Sequence, residues 1–222
     1  MVIRVRKLNE QHIMQNRIFL IHGFNKGASD MYPLERSLAS FGYDCLTLNY
    51  PLRFHPFENA TAYLRQMLNR LPDGEQVFLV GHSTGGLVIR DVLSSPDCAA
   101  KVKRAVLIAT PSQGSQLARH AHRVQPFTRL YKTIASITPE FVGDYAFQPS
   151  DVEMGAIAGD RSNLFLGKMI REQNDGRVET SSVYDRGLKD FLVLPYGHKD
   201  IHHRRETAEF VHRFLQTGMF YG

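Results

Sequence analysis

Val77-Phe78-Leu79-Val80 is a run of apolar β-formers that meets Gly81-His82-Ser83-Thr84-Gly85-Gly86 and resumes as Leu87-Val88-Ile89-Arg90-Asp91-Val92-Leu93. The first run reads as a buried strand and the second as a helix expected to start near Leu87. A serine between the two sits on a sharp strand-to-helix turn that lifts its hydroxyl out of the sheet. The residues two before and two after it come together in such a turn, so a side chain at either place would clash. Gly81 and Gly85 meet that demand. The helix that follows brings its N-terminus near the serine, and its free N–H groups favour negative charge there. A Gly-rich turn with no chemistry is the bland alternative. The strand before and the helix after favour Ser83 as a nucleophile.

Similar apolar runs recur along the chain and alternate with helical patterns. Arg17–Ile21, Cys45–Tyr50, Val77–Gly81, Arg104–Ala109, Met154–Gly159 and Phe191–Leu194 read as strands. Met31–Phe41, Glu58–Leu71 and Arg204–Gln216 read as helices, the second with Ala60, Leu64, Met67, Leu68 and Leu71 aligned on one face. Alternation of this kind predicts an α/β fold with a mostly parallel central sheet and helices on both faces. The 222 residues suit a single domain spanning 1–222. Ser112 to Val152 breaks the rhythm and is long for a crossover. It follows a central strand, near the strand ends where such sheets bind ligands. It is expected to form a small helical lid over the site, with a longer packing crossover as the alternative.

A serine hydroxyl needs a base, and the base needs a carboxylate that holds its tautomer. In the strand–serine–helix arrangement these follow in the order serine, acid, histidine. The histidines beyond the lid are His198, His202, His203 and His212. His212 falls inside the last helix. His198 directly follows the last strand, in Leu194-Pro195-Tyr196-Gly197-His198, and is the favoured base, with His202 in reserve. Asp175, in Asn174-Asp175-Gly176-Arg177-Val178, is the stronger candidate acid and Asp160 its rival. Either aspartate has a simpler reading as a turn former that bonds its own backbone. Donors for the oxyanion are expected from the backbone N–H of Thr84 and, after Ile18–Ile21, from that of Phe24 in His22-Gly23-Phe24. His198-Lys199-Asp200-Ile201-His202-His203 is dense in ligand types, but its spacing fits no metal pattern with a mechanical basis, so no metal and no cofactor are expected.

The remaining composition narrows the function classes. Net charge is +5, yet the basic residues form no stripe with interleaved aromatics, so no nucleic-acid partner is expected. Two cysteines make no disulfide framework. No apolar run is long enough to cross a bilayer, and the N-terminus lacks a secretory core, so a cytoplasmic protein is expected. Between Leu117 and Ile137, basic residues mix with Phe127, Leu130 and Tyr131. Such a stretch suits either contact with a lipid surface or an apolar face packed on the site, and the packed face is favoured.

Taken together, the turn at Ser83, the early His22-Gly23-Phe24 and the late aspartate and histidine resemble the α/β-hydrolase superfamily. Three stretches resemble its small bacterial lipase and esterase branch. Thr110-Pro111-Ser112-Gln113-Gly114-Ser115 is similar to that branch's Thr-Pro-His-x-Gly-Ser segment, with Ser112 in place of the usual histidine. Asn174–Val178 is similar to its Asp-Gly-x-Val motif, and Leu194–Phe220 to its C-terminal end. The resemblance implies Ser83, Asp175 and His198 as a catalytic triad, which raises Asp175 over Asp160 and His198 over His202. It implies cleavage of a small-molecule acyl ester. Acyl transfer, or cleavage of thioesters, lactones or amides on the same triad, is the alternative. A non-catalytic binding protein on this fold is the reading from another class.

Overall fold

The computed structural model describes residues 16–24, 26–50, 57–114, 150–162 and 172–222. Six strands form one sheet in the order β2-β1-β3-β4-β5-β6. They are β1 (Arg17–Ile21), β2 (Asp44–Leu48), β3 (Val77–His82), β4 (Val102–Ile108), β5 (Glu153–Gly159) and β6 (Asp190–Leu194). Every neighbouring pair runs parallel. Four longer helices cover the sheet: α1 (Tyr32–Ser40), α2 (Phe57–Asn69), α3 (Thr84–Leu93) and α4 (Arg205–Thr217). The expected lid lies, apart from its two ends, outside the described residues. No helix among the described residues is long and apolar enough to cross a membrane.

The central strands are continuous apolar runs because both of their faces are covered. Successive side chains point to opposite faces. Phe19 and Ile21 of β1 join Leu79 and Leu107 in one core, closed by Leu64 and Leu68 of α2 and by α3. Ile18 and Leu20 join Val80, Val106 and Ile108 in the other, closed by Leu34 and Leu38 of α1 and by Val211, Phe214 and Leu215 of α4. Each fully buried leucine or isoleucine contributes about 2 kcal/mol by leaving water. Helix α4 stops at Gly218, whose φ of 80° lets its N–H reach back to the carbonyl of Phe214 at 2.8 Å.

Helix α3 starts at Thr84, three residues before the expected Leu87, so Gly85 and Gly86 lie inside its first turn. Glycine has poor helix propensity, which is why the sequence pattern starts at Leu87. Close packing overrides it here. A Cβ on Gly85 would press on the carbonyl oxygens of Ile21 and His22, and one on Gly86 would strike Thr110. A Cβ on Gly81 would lie 2.7 Å from the carbonyl carbon of Gly85. The two glycines that flank the serine therefore touch, and the helix can begin immediately under the sheet edge.

The chain passes from β1 to β2 on one side and then returns to place β3 on the other side of β1. The crevice beyond the strand ends at such a reversal is where open α/β sheets bind ligands. Gly23 and Ser83 both lie there. A Cβ on Gly23 would sit 2.9 Å from the Cβ of Ser83 and 3.5 Å from its Oγ.

Candidate active site

Ser83 links β3 directly to α3, with φ 55° and ψ −126°. A non-glycine residue held there stores on the order of 1–3 kcal/mol of strain, which its surroundings must impose. Part of that restraint is the Ser83 N–H, which donates to the carbonyl of Ile108 at 2.8 Å. The turn presents Oγ towards the loop after β6, where the Nε2 of His198 lies 3.1 Å away. The other ring nitrogen, Nδ1, lies 2.7 Å from Oδ2 of Asp175. A carboxylate can only accept, so Nδ1 carries the proton and Nε2 presents its lone pair to the serine hydroxyl. His198 and Asp175 are both buried.

Asp175 reaches this position through a turn that its own side chain builds. Its Oδ1 accepts the N–H groups of Arg177 at 2.9 Å and Val178 at 2.8 Å. The turn is tightened by Asn174, whose Oδ1 accepts from the N–H of Gly176 at 2.8 Å. Gly176 has φ 96°, a region that favours glycine. The turn-forming and histidine-facing readings of Asp175 are thus both present, one on each oxygen. The main-chain carbonyl of Asp175 also accepts the N–H of His198 at 2.8 Å, so the two loops are joined twice.

The rival residues lie elsewhere. Asp160 directly follows β5, and its Oδ2 accepts from Gln173 Nε2 at 3.2 Å at the surface. His202 pairs with a different carboxylate, Asp30. Thr84 opens α3, and the first N–H groups of a helix have no intrahelical acceptor. Phe24 lies half-buried in the turn after β1, next to the Gly23 backbone that abuts Ser83. Ser112 is buried beyond β4, with its carbonyl accepting from Arg90 at 3.1 Å.

The dense histidine stretch does not converge on one point. His198 faces Ser83, Asp200 pairs with Arg204, and His202 and His203 turn to Asp30. His202 Nε2 lies 3.0 Å from Asp30 Oδ2, and its ring stacks on His82 with centroids 3.7 Å apart and planes 19° from parallel. His82 Nε2 lies 3.0 Å from the carbonyl oxygen of His198. Burial pushes the His82 imidazole well below its ordinary pKa and takes His202 down to about 4, so both rings are neutral near pH 7. Burial alone would raise the Asp30 carboxyl, but hydrogen bonds from His202 and Lys26 outweigh it and hold it well below the usual carboxylate range. Asp30, His82 and His202 each offer a donor atom within 4.8 Å of the others. Near-parallel rings carry their lone pairs side by side, and Lys26 Nζ already lies 2.6 Å from Asp30 Oδ1. That arrangement suits a hydrogen-bonded network better than a tetrahedral metal site, whose ligand lone pairs meet at one point. Sequence reasoning missed this network because Asp30 lies 172 residues from His202 in the chain and no sequence pattern joins either of them to His82. The one available signal was a histidine placed directly before the nucleophile.

Comparison with known proteins agrees with the architecture. The mature form of the Bacillus licheniformis lipase BlEst2 superposes with a TM-score of 0.75 at 20% identity, over 91% of each chain. The metagenomic carboxyl esterase MGS0156 gives 0.76 at 16% identity, over 92% of this chain and 76% of its own. Polyneuridine aldehyde esterase gives 0.59 at 14% identity, over 91% and 98%. No curated protein matches the chain in sequence. The parallel six-stranded sheet and the likeness to these structures show an α/β-hydrolase fold. Within that fold, the chain belongs to the family of the domain of unknown function DUF7379, whose model matches residues 18–152.

Proposed function

We propose that the protein is a serine hydrolase that cleaves carboxylic esters through an acyl-enzyme on Ser83. The observation that carries this is the continuous chain Ser83 Oγ, His198, Asp175, with separations of 3.1 and 2.7 Å, on a serine whose backbone is strained. Ser83 Oγ attacks the ester carbonyl while His198 Nε2 takes its proton. Asp175 keeps the ring in the Nδ1–H tautomer and stabilises the imidazolium. The backbone N–H groups of Thr84 and Phe24 receive the oxyanion, and each such donor lowers a barrier by about 3 kcal/mol. The imidazolium then protonates the departing alcohol. Water enters, and His198 takes its proton as the oxygen attacks the acyl carbon. Collapse of the intermediate breaks the bond to Oγ, releases the carboxylic acid and returns the proton from His198 to Ser83. The fold neighbours named lipase and esterase support an ester as the substrate class.

The test is reaction with a fluorophosphonate probe, with the adduct located by peptide mass spectrometry, beside hydrolysis of p-nitrophenyl esters of graded acyl length. Wild-type protein is expected to carry the adduct on Ser83, and Ser83→Ala to lose both adduct and turnover while keeping its melting temperature. Ester turnover retained by Ser83→Ala would refute the assignment.

A further inference from the structure

We propose that His82 is a positioning residue, holding the main chain of His198 in place against Ser83, and that Asp30 and His202 hold His82 in turn. The inference rests on the proposed chemistry at Ser83. A carbonyl oxygen only accepts, so the 3.0 Å contact between His82 Nε2 and the His198 carbonyl requires the proton on Nε2 of His82. His198 is then pinned at both of its main-chain groups. Its N–H donates to the Asp175 carbonyl at 2.8 Å, and its carbonyl accepts from His82. The side-chain torsions that remain are set by the bond from Nδ1 to Asp175.

The geometry has a particular use of sequence. His82 is the residue next to Ser83 and the last of β3, so the base loop is referenced to the nucleophile's own neighbour. Any shift of the elbow carries His198 with it. His82 is only 2% exposed, and its ring is backed by that of His202. His202 donates through Nε2 to Asp30, and His203 donates through Nε2 to the Asp30 carbonyl at 2.9 Å. Asp30 opens towards the loop that follows β1, in which Lys26 pairs with it. One aspartate therefore ties the loop carrying Phe24 to the loop carrying His198. Reacting groups tolerate little displacement, since about 1 Å of misplacement can cost on the order of a hundredfold in rate.

The experiment compares wild type, His82→Gln and His82→Leu in phosphonylation of Ser83, separating the maximal inactivation rate from the probe's half-saturation concentration, with the melting temperature of each. A glutamine amide nitrogen reaches about as far as Nε2 and can still donate; leucine fills similar space and cannot. His82→Leu is expected to lower the maximal rate on the order of tenfold or more at an unchanged half-saturation concentration, and His82→Gln to stay within about threefold of wild type. Long-range 15N–1H spectra of the wild-type protein supply a measurement that needs no variant to fold, and should show His82 protonated at Nε2. A wild-type rate in His82→Leu, an equal loss in both variants, or a proton on Nδ1 would each overturn the inference. Absence of the Ser83 adduct in wild type is a different result: it removes the proposed function, and the inference falls with it.

Discussion

Among the described residues, Asp175–His198 and Asp30–His202 are both close aspartate–histidine pairs, and of these two only the first faces a hydroxyl. Asp175 bonds His198 through Nδ1 at 2.7 Å, which leaves Nε2, the nitrogen furthest from the backbone, directed at Ser83. Asp30 bonds His202 through Nε2 at 3.0 Å, which spends that nitrogen on the carboxylate. The Nδ1 of His202 is then buried beside its own main chain with no hydrogen-bond partner among the described residues. Both histidines are buried and both are next to an acid. The difference lies in which nitrogen the acid takes, and the fold sets that by approach. Asp175 comes from a turn that runs alongside the His198 backbone, as the bond between their main chains shows. Asp30 meets the far end of the His202 ring. In the proposed mechanism the Asp175–His198 pair can serve as a general base because the carboxylate takes the inner nitrogen and frees the outer one towards Ser83.

The largest expected effect breaks the two pairs apart. His198→Gln should lower kcat/KM for an activated ester by about 10⁴ or more, since losing a triad histidine can cost on the order of 10⁶. His202→Gln should stay within about tenfold of wild type. The reverse ranking would assign the base to His202 and overturn the contrast. A second comparison concerns the acids. Asp175→Asn offers an amide to Nδ1 and permits the wrong tautomer, so a loss on the order of 10³–10⁴ in kcat is expected. Asp30→Asn keeps an oxygen that can accept from His202 Nε2, so its loss should be smaller by at least tenfold. Equal losses in the two asparagine variants would mean that both carboxylates act on catalysis by the same route.

Much of this was legible in the residues, for reasons that differ from place to place. The central strands are apolar runs because both of their faces are buried, whereas the edge strands β2 and β6 are partly exposed and were read from their flanking turns and β-formers. The elbow was legible because glycines are needed on both sides of Ser83, and the structure shows Gly81 and Gly85 in contact. The start of α3 was not, because the packing of Gly85 and Gly86 against β1 and Thr110 outweighs their low helix propensity. The order of residues pointed to Asp175 and His198, but could not say that one oxygen of Asp175 would build its turn while the other met His198. The Asp30–His202–His82 network was invisible. It joins three segments distant in the chain, and no periodicity connects a loop aspartate to a histidine at a strand end.

The smallest predicted effect is on stability and sharpens the contrast through protonation. Burial holds the His202 pKa at about 4 in the folded protein against an ordinary 6.5. Below pH 6.5 the unfolded chain takes up a proton that folded His202 refuses, so stability falls as the pH drops from 6.5 towards 4. Below about 4 both states bind it and this loss saturates. The full shift corresponds to at most about 3 kcal/mol. His82 and His22 are lowered by burial as well and add to the same acid slope. Asp30 does not contribute there: its carboxyl stays ionised when folded and its stabilisation is lost only below the ordinary aspartate value of 3.8. Urea unfolding at pH 7, 5.5 and 4.5 isolates His202 by difference, since the other groups are common to wild type and His202→Gln. Wild type should lose more stability than the variant between pH 7 and 4.5. Parallel slopes would mean that His202 titrates alike in the folded and unfolded chain; a wild type that gains stability relative to the variant on acidification would mean that folded His202 carries its proton at neutral pH and that the second pair is an ion pair.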